Sequence, residues 1–551
     1  MKSRSGGNIL IESLRAYGVK KIFCVPGESY LDALDALHDE SGIRTITCRQ
    51  EGGAAFMAEA YGKLTGQPGI CFVTRGPGAC NASIGLHTAM QDSTPFILLV
   101  GQVGRAMMGR EAFQEIDYRL MFQPPISKWA VQIENAADIP RVMKEAFEAA
   151  TTGRPGPVVV ALPEDMLSED QSDAAIPAPA TPVHFAPSHG DIDKLKTILQ
   201  SAQKPIVITG GGSWNDTSIA QFEKFCEAAQ LPVVTGFRRQ DAFHNSHPCY
   251  AGVLGTTIDA QLLKSVEQAD VILAVGTRLG EILTQGYTII QPGKPLQRLI
   301  HVYPDSSELN KVYKAELAIH SGVGEFAAAV EGITIDGGAW SGWTADLNAR
   351  YRAWSTVKSR DKFTVDLEGV IEDIINTLPK DAIITTDAGN FSGWPQRFIR
   401  YDRPMRLLAP TSGAMGYGAP SAVAASLAYP DRVVVGFMGD GGFMMTGQEI
   451  ATAMHEGAHP IWLVFNNGMY GTIRMHQEKH YPGRKSATDL TNPDFAALAR
   501  SYGAAGITVE KTADFLPAFR AAIASKKPTL IEVKMDPQQI TTAKKLSEIS
   551  G

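Results

Sequence analysis

Residues Arg432 to Tyr470, RVVVGFMGDGGFMMTGQEIATAMHEGAHPIWLVFNNGMY, carry the pattern that decides the fold. Two apolar runs, Val433 to Met438 and Ile461 to Phe465, flank a single helical segment of about three turns. Strands joined through a helix pair in parallel, so the stretch reads as a βαβ crossover. Gly439-Asp440-Gly441 closes the first strand and Asn466-Asn467 the second. In a parallel sheet these carboxyl ends lie side by side, where open α/β sheets receive their ligands. Asp440 and Asn467, 27 positions apart, thereby come within reach of one coordination shell.

A carboxylate, an amide oxygen and a backbone carbonyl past Asn467 make an all-oxygen, low-charge set with room for phosphate oxygens, the usual way Mg²⁺ is held. The glycines beside Asp440 let backbone approach a phosphate closely. Either half taken singly is an ordinary turn. Their position on adjoining strands of one crossover is what points to a metal and phosphate site.

At 551 residues the chain exceeds a single core, and three domains is the natural division. Hydrophobic residues make up 44% and charged residues 20%, the balance of a soluble globular protein. A net charge of −7 argues against nucleic acid or an anionic membrane as partner. Met1 to Asn8 leads into no apolar signal core, and no apolar run approaches a membrane span, so the expected location is cytoplasmic. The six cysteines, without a Cys-x-x-Cys spacing, read as buried free thiols.

From residue 8 to 165, helices alternate with strands at Lys21–Val25, Arg44–Cys48, Gly69–Thr74 and Phe96–Val100, which implies a doubly wound, mainly parallel sheet. Turns at Pro26-Gly27-Glu28, Arg49 to Gly53, Arg75 to Gly78 and Gly101-Gln102 mark one rim. Ser168 to Asp191, rich in Ala, Pro, Ser and Asp, reads as a linker. A second α/β unit follows, with strands at Pro205–Thr209, Pro232–Thr235, Val271–Val275 and Leu299–Val302. Its Gly210-Gly211-Gly212 suits a nucleotide phosphate or a plain turn about equally. An irregular stretch, Gly332 to Asp346, leads to the third unit. The fold class is α/β, three doubly wound domains.

The Gly-Asp-Gly and Asn-Asn pair resembles the signature of thiamine diphosphate-dependent enzymes. The whole chain is similar to that family's succession of pyrimidine-binding, central and diphosphate-binding domains, here 1–170, 190–332 and 347–551. Arg49 to Ala54, Gly76 to Asn81, Gly153 to Pro157 and Gly416 to Pro420 resemble segments of the acetolactate synthase large subunits and related carboligases. The resemblance implies that Asp440, Asn467 and the Met469 carbonyl hold Mg²⁺, which anchors the diphosphate. It likewise implies cofactor contacts from Gly389, Asn390, Gly439, Gly441, Gly442, Tyr470 and Gly471, with Met415 wedged under the bent cofactor.

By position alone Glu51 is a residue suited to a helix N-terminus, where negative charge is favoured. The resemblance makes it the carboxylate that hydrogen-bonds N1′ of the aminopyrimidine, with Pro77 and Asn81 close to the same ring. It also places Gln114 near the cofactor and Lys128 near the substrate entry channel. Where acetolactate synthases that prefer larger 2-oxo acceptors carry Trp, nine residues past the second Asn, this chain has His476. Arg474 and His480 nearby are further positive groups for a carboxylate or phosphate. Gly276 to Gly280 and His301 to Asp305 match the flavin-binding versions of these segments only loosely, so FAD or ADP in the central domain stays open.

The expected function is decarboxylation of a small 2-oxo acid such as pyruvate with ligation to a second carbonyl, of a 2-oxo acid or an aldehyde. The alternative is a decarboxylase or lyase acting on 2-oxo acids, 2-hydroxy ketones or acyl-CoA thioesters. An inactive binding protein is disfavoured because Glu51, Asp440 and Asn467 are all present. A nicotinamide oxidoreductase would need a Gly-x-Gly-x-x-Gly turn with an acidic residue at the right distance, which the chain lacks. The resemblance implies sites built between subunits, and with them a homodimer or homotetramer.

Overall fold

The computed structural model describes residues 4–171, 174–179, 183–293 and 295–549. Within them, long runs of Val, Ile, Leu and Phe fold into three separate six-stranded sheets, and every strand pairing is parallel. Strands such as Phe96–Gln102 and Pro157–Pro163 are buried at every position. This is the mark of a parallel sheet covered by helices on both faces.

The first sheet holds β1 (Lys21–Cys24), β2 (Arg44–Thr47), β3 (Gly69–Val73), β4 (Phe96–Gln102), β5 (Trp129–Gln132) and β6 (Pro157–Pro163), in the order β2-β1-β3-β4-β6-β5. The central sheet holds β7 (Pro205–Thr209), β8 (Val233–Thr235), β9 (Tyr250–Val253), β10 (Val271–Val275), β11 (Arg298–Tyr303) and β12 (Leu317–His320), ordered β12-β11-β10-β7-β8-β9. The third holds β13 (Ile383–Thr386), β14 (Arg406–Leu408), β15 (Val434–Gly439), β16 (Ile461–Asn466), β17 (Ala505–Val509) and β18 (Thr529–Lys534), ordered β14-β13-β15-β16-β18-β17. Renumbered from its own first strand, the third sheet repeats the first, whereas the central one has the dinucleotide-domain order. In the third sheet the order reverses between β13 and β15, so a crevice opens beyond the carboxyl ends of those two strands.

Three local expectations change. The segment between β15 and β16 is two short helices, Asp440–Thr446 and Ile450–Glu456, separated by the 3-10 turn Gly447–Glu449. Thr446 leaves helical geometry and its hydroxyl donates to Gly416 O at 2.7 Å, and Gly447 is a weak helix former. The stretch expected to be irregular up to Asp346 contains the helix Ser341–Trp354, inside which the expected boundary at 347 falls. That helix packs on the central domain, with Tyr351 against Tyr250 and Trp343 Nε1 donating to Pro205 O. Finally, the expected linker ends earlier, because Ser188 caps a helix from His189; residues 172, 173 and 180–182 of it lie outside the described residues.

All six cysteines are free, five of them buried and Cys80 exposed. Among the described residues no helix is long and apolar enough to cross a membrane.

The first and third domains share one core. The helices Glu51–Thr65 and Gly418–Ala428 pack together, and Phe56 meets Tyr417 edge-on with centroids 5.4 Å apart. Inside this interface Glu59 accepts from Thr94 Oγ1 (2.7 Å) and Tyr417 Oη (2.6 Å). Lys63 Nζ lies 3.2 Å from Glu59 and 2.6 Å from Asp92, and donates to Ala409 O. Lys63 is thus the shared counter-charge of two buried carboxylates. Removing one partner of a buried pair leaves an uncompensated charge, so Lys63→Met is expected to cost about 3–5 kcal/mol. A thermal melt checks this against Lys144→Met, which breaks a surface pair at 3.2 Å and should scarcely move the midpoint.

Candidate active site

Asp440 is the first residue of its helix, placed there by the end of β15, and is only 2% exposed. Its Oδ1 accepts from Gly441 N (2.9 Å), and its Oδ2 from Gly468 N (2.8 Å) and Asn492 Nδ2 (2.7 Å). Burial holds its carboxyl above the usual range, and hydrogen bonds from these donors oppose that. Among the described residues no cationic side chain pairs with it.

The neighbouring loop is shaped to meet it. Gly468 takes a left-handed φ of +68°, and Leu490 N donates to Gly468 O while Tyr470 N donates to Thr488 O. Asn467 Oδ1 accepts from Met469 N at 3.2 Å. Glycine at 441 is required by packing, since a Cβ there would stand 2.5 Å from the Tyr470 ring.

A cleft of about 230 Å³ opens here, lined by Gly389, Asn390, Met415, Gly439 to Gly442, Asn467 and Met469 to Gly471. These are all of the residues expected around the diphosphate and the metal. Phe391, Phe465, Ile473 and Ile540 add an apolar wall. The ten-residue helix Gly471–His480 begins at the cleft, so its free amides and dipole favour an anion there. Among the described residues no group of three or more His, Cys, Asp or Glu side chains forms a cage. The donor set is one buried carboxylate with amide and carbonyl oxygens, which suits a hard cation that keeps phosphate oxygens among its ligands.

A second group lies on the carboxyl rim of the first sheet. Glu51 is the first residue of its helix, capped by Gln50, whose side chain accepts from Gly53 N at 3.0 Å. Its Oε2 accepts from Asn81 Nδ2 at 2.9 Å. Pro77 opens the helix Pro77–Asp92 that carries Asn81. Gln114, at a left-handed φ of +67°, packs against Gly76, where a Cβ would stand 2.8 Å from the Gln114 Cβ. Glu51, Pro77, Asn81 and Gln114 are therefore brought together, but none of them lines the Asp440 cleft of the same chain.

Two expected substrate residues lie apart from these groups. Lys128 N donates to Pro157 O, at the amino end of β6 and so on the rim opposite Glu51. Its Nζ donates to Thr152 O at 2.8 Å, and burial lowers the ammonium to about 8 although the Asp305 charge opposes this. His476 is exposed on the Gly471–His480 helix and outside the lining of the cleft, its ring parallel to that of His480 with centroids 6.2 Å apart. Arg474 is not a free positive group, because it pairs with Glu478 at 2.6 Å.

Two residues that were not among the expected ones hold the cleft in shape from behind its lining. Asp387, fully buried, accepts from Gly416 N (2.9 Å) and Tyr417 N (3.3 Å) and so fixes the turn beside Met415; burial pushes it to about 6. Asn492 bridges Asp440 and Asn466. Asp387 stands at a strand end, which is a usable clue, whereas Asn492 lies in an irregular segment and gives none.

On the central rim, a Cβ on Gly211 would stand 1.9 Å from Gly276 O, so backbone packing alone accounts for that glycine. Three arginines cap the carboxyl end of the Pro77–Asp92 helix: Arg154 donates to Met90 O, Arg278 to Gln91 O (2.8 Å) and Arg239 to Asp92 O (2.6 Å).

Comparison with known proteins agrees with this geometry. Residues 4–121 match the N-terminal TPP binding domain of thiamine pyrophosphate enzymes, 192–330 their central domain and 387–533 their C-terminal TPP binding domain. The chain is 30% identical over 535 residues to the acetolactate synthase isozyme 2 large subunit of Escherichia coli, covering 97% of this chain and 96% of that protein. It is 32% identical over 547 residues to the acetolactate synthase large subunit of Lactococcus lactis, covering 97% and 92%. A probable acetolactate synthase large subunit of Methanocaldococcus jannaschii is also 32% identical, with the same coverage. Matched in all three domains and along nearly its whole length, the chain belongs to the thiamine pyrophosphate enzymes and is an acetolactate synthase-like enzyme.

Proposed function

We propose that this enzyme uses Mg²⁺ and thiamine diphosphate to decarboxylate a small 2-oxo acid such as pyruvate and to join the remaining fragment to a second carbonyl. The observation that carries the reading is the buried Asp440 carboxylate, which has no cationic partner among the described residues and lines one cleft with Asn467. Three donors already satisfy part of that carboxylate, and a bound cation would offset the remaining cost of burying its charge. When bound, the cofactor would supply the sink for the bonding electron pair left on the substrate carbon as CO₂ departs.

In this reading Asp440, Asn467 and the Met469 carbonyl hold the metal, and the amides at the start of the Gly471–His480 helix receive the diphosphate. Met415, steadied by the Asp387 turn, supports the cofactor from below. The apolar wall keeps water from the reacting carbon, which favours loss of a carboxylate. Glu51, oriented by Asn81, holds the proton at N1′ of the aminopyrimidine. Gln114 stands close by.

Glu51 and Asp440 serve one site only if that site is shared between two chains, so the enzyme is proposed to be at least a homodimer. Both rims expose large apolar side chains: Leu31 (61%), Phe113 (74%), Met444 (51%) and Met445 (46%). A partner covering them supports this reading. In the central domain Gly210, Gly211, Gly276, Arg239 and Arg278 line a cleft of about 220 Å³, so the glycine turn suits a nucleotide phosphate as well as a plain turn, even with Arg239 and Arg278 donating to helix carbonyls.

His476 in place of Trp removes a flat apolar wall and adds a hydrogen-bonding ring, so the acceptor pocket discriminates little between short and longer acceptors. The test is a panel of 2-oxo acids with CO₂ and coupled product measured separately, and a competition between pyruvate and 2-oxobutyrate as acceptors. Wild type is expected to show little preference and His476→Trp to shift toward 2-oxobutyrate, by about 10-fold for one methylene-sized contact. CO₂ without coupled product from every acid would replace this reading with a decarboxylase.

A further inference from the structure

Glu449 ends the turn that follows the Asp440 helix, is fully buried, and does not line the cleft. Its carboxylate crosses instead to the first domain of the same chain. Oε1 accepts from Arg49 N (3.2 Å) and Gln50 N (3.1 Å), and Oε2 from Arg49 N (3.3 Å) and Thr452 Oγ1 (2.5 Å). A Cβ on Gly53 would stand 2.5 Å from Oε1, so the carboxylate fills the space over the first turn of the Glu51 helix. Burial pushes it up to about 7, against the pull of the Thr452 hydroxyl, the two amides and the Arg49 charge.

A carboxylate this deep is tolerated only when its acceptor sites are filled, and here they are filled by the two peptides that immediately precede Glu51. Asn81 holds the Glu51 side chain from one direction and Glu449 holds its backbone approach from the other. Gln50 is extended, and although its carbonyl accepts from Ala54 N, the Arg49 and Gln50 N–H groups find their acceptor in Glu449 and not in the helix.

We propose that Glu449 is a positioning residue for Glu51: by gripping the Arg49 and Gln50 amides from the third domain, it fixes where the Glu51 carboxylate stands. The proposal rests on Glu51 acting at N1′ as described above.

The test uses the Mg²⁺ and thiamine diphosphate holoenzyme for rates and the apoprotein for hydrogen exchange. Glu449→Ala is expected to lower kcat about 10²-fold with little change in KM, the penalty of misplacing a catalytic group by about 1 Å. The Arg49 and Gln50 amides should exchange faster in the apoprotein. Glu449→Gln keeps the volume, so it carries the test if the alanine variant does not fold. It retains one acceptor but turns an NH₂ toward the amides, and should give a smaller loss of the same kind. If Glu449 acts through Glu51, then Glu449→Gln has no further effect in a Glu51→Gln background. The proposal is overturned if Glu449→Gln loosens the two amides while kcat stays within about twofold, or if it costs the same factor with and without Glu51. If Glu51→Gln alone leaves the rate unchanged, the reading of Glu51 itself fails and the proposal falls with it.

Discussion

Asp440→Ala is expected to give a folded protein that no longer retains thiamine diphosphate through Mg²⁺, with cofactor affinity lowered about 100-fold or more. Changes in groups that merely orient a metal ligand cost about 10–100-fold, and Asp440 is the only carboxylate among the described residues that line the cleft. Without it the remaining oxygens are uncharged amides and carbonyls, too weak a set to strip water from Mg²⁺. Folding should survive. The register of β15 on β16 runs from Val435 to Gly439 and is untouched, and the substitution relieves the protein of a carboxylate already pushed up by burial. Calorimetric titration with and without Mg²⁺ decides the matter. Unchanged cofactor affinity would remove Asp440 from the metal site.

The diphosphate half of the candidate site was legible because a parallel sheet puts the ends of successive strands on one rim. Gly439 to Gly442 and Asn467 to Gly471 are such ends, and their local composition announces it. The residues that hold them in place are different in kind. Asn492 reaches Asp440 across 52 positions, and Glu449 reaches Arg49 across 400. Nothing in their immediate neighbours distinguishes them from any polar residue of a loop or turn. Lys128 is a different case: the resemblance put it near the entry channel, but the pairing of β5 with β6 carries it to the opposite rim, packed on Gly156. The break between Thr446 and Ile450 was visible as Gly447, but the helical signal on either side outweighed it. The pairing of Arg474 with Glu478, by contrast, follows from their i,i+4 spacing.

Glu51→Gln is expected to leave cofactor bound and yet to slow exchange of its C2 proton by about 10²–10⁴-fold, the usual range for losing a general acid–base group. Glutamine fits the site, since its carbonyl can still accept from Asn81 Nδ2 as Glu51 Oε2 does at 2.9 Å. What it lacks is an exchangeable proton of suitable acidity for N1′. NMR in D₂O follows the exchange directly, and a wild-type rate would reduce Glu51 to a residue of the helix end. The same variant then asks where the site is built. Within one chain Glu51 lies outside the Asp440 cleft, and Glu449 ties the Glu51 turn to the far end of the 3-10 turn beyond the Asp440 helix. If each site takes Glu51 from one subunit and Asp440 from the other, a mixed dimer of Glu51→Gln and Asp440→Ala chains contains one intact site and one doubly damaged site. Random pairing makes about half the dimers mixed, so co-expression should restore about a quarter of the wild-type rate from two inactive parents. No recovery from a verified mixed dimer would mean that each chain completes its own site.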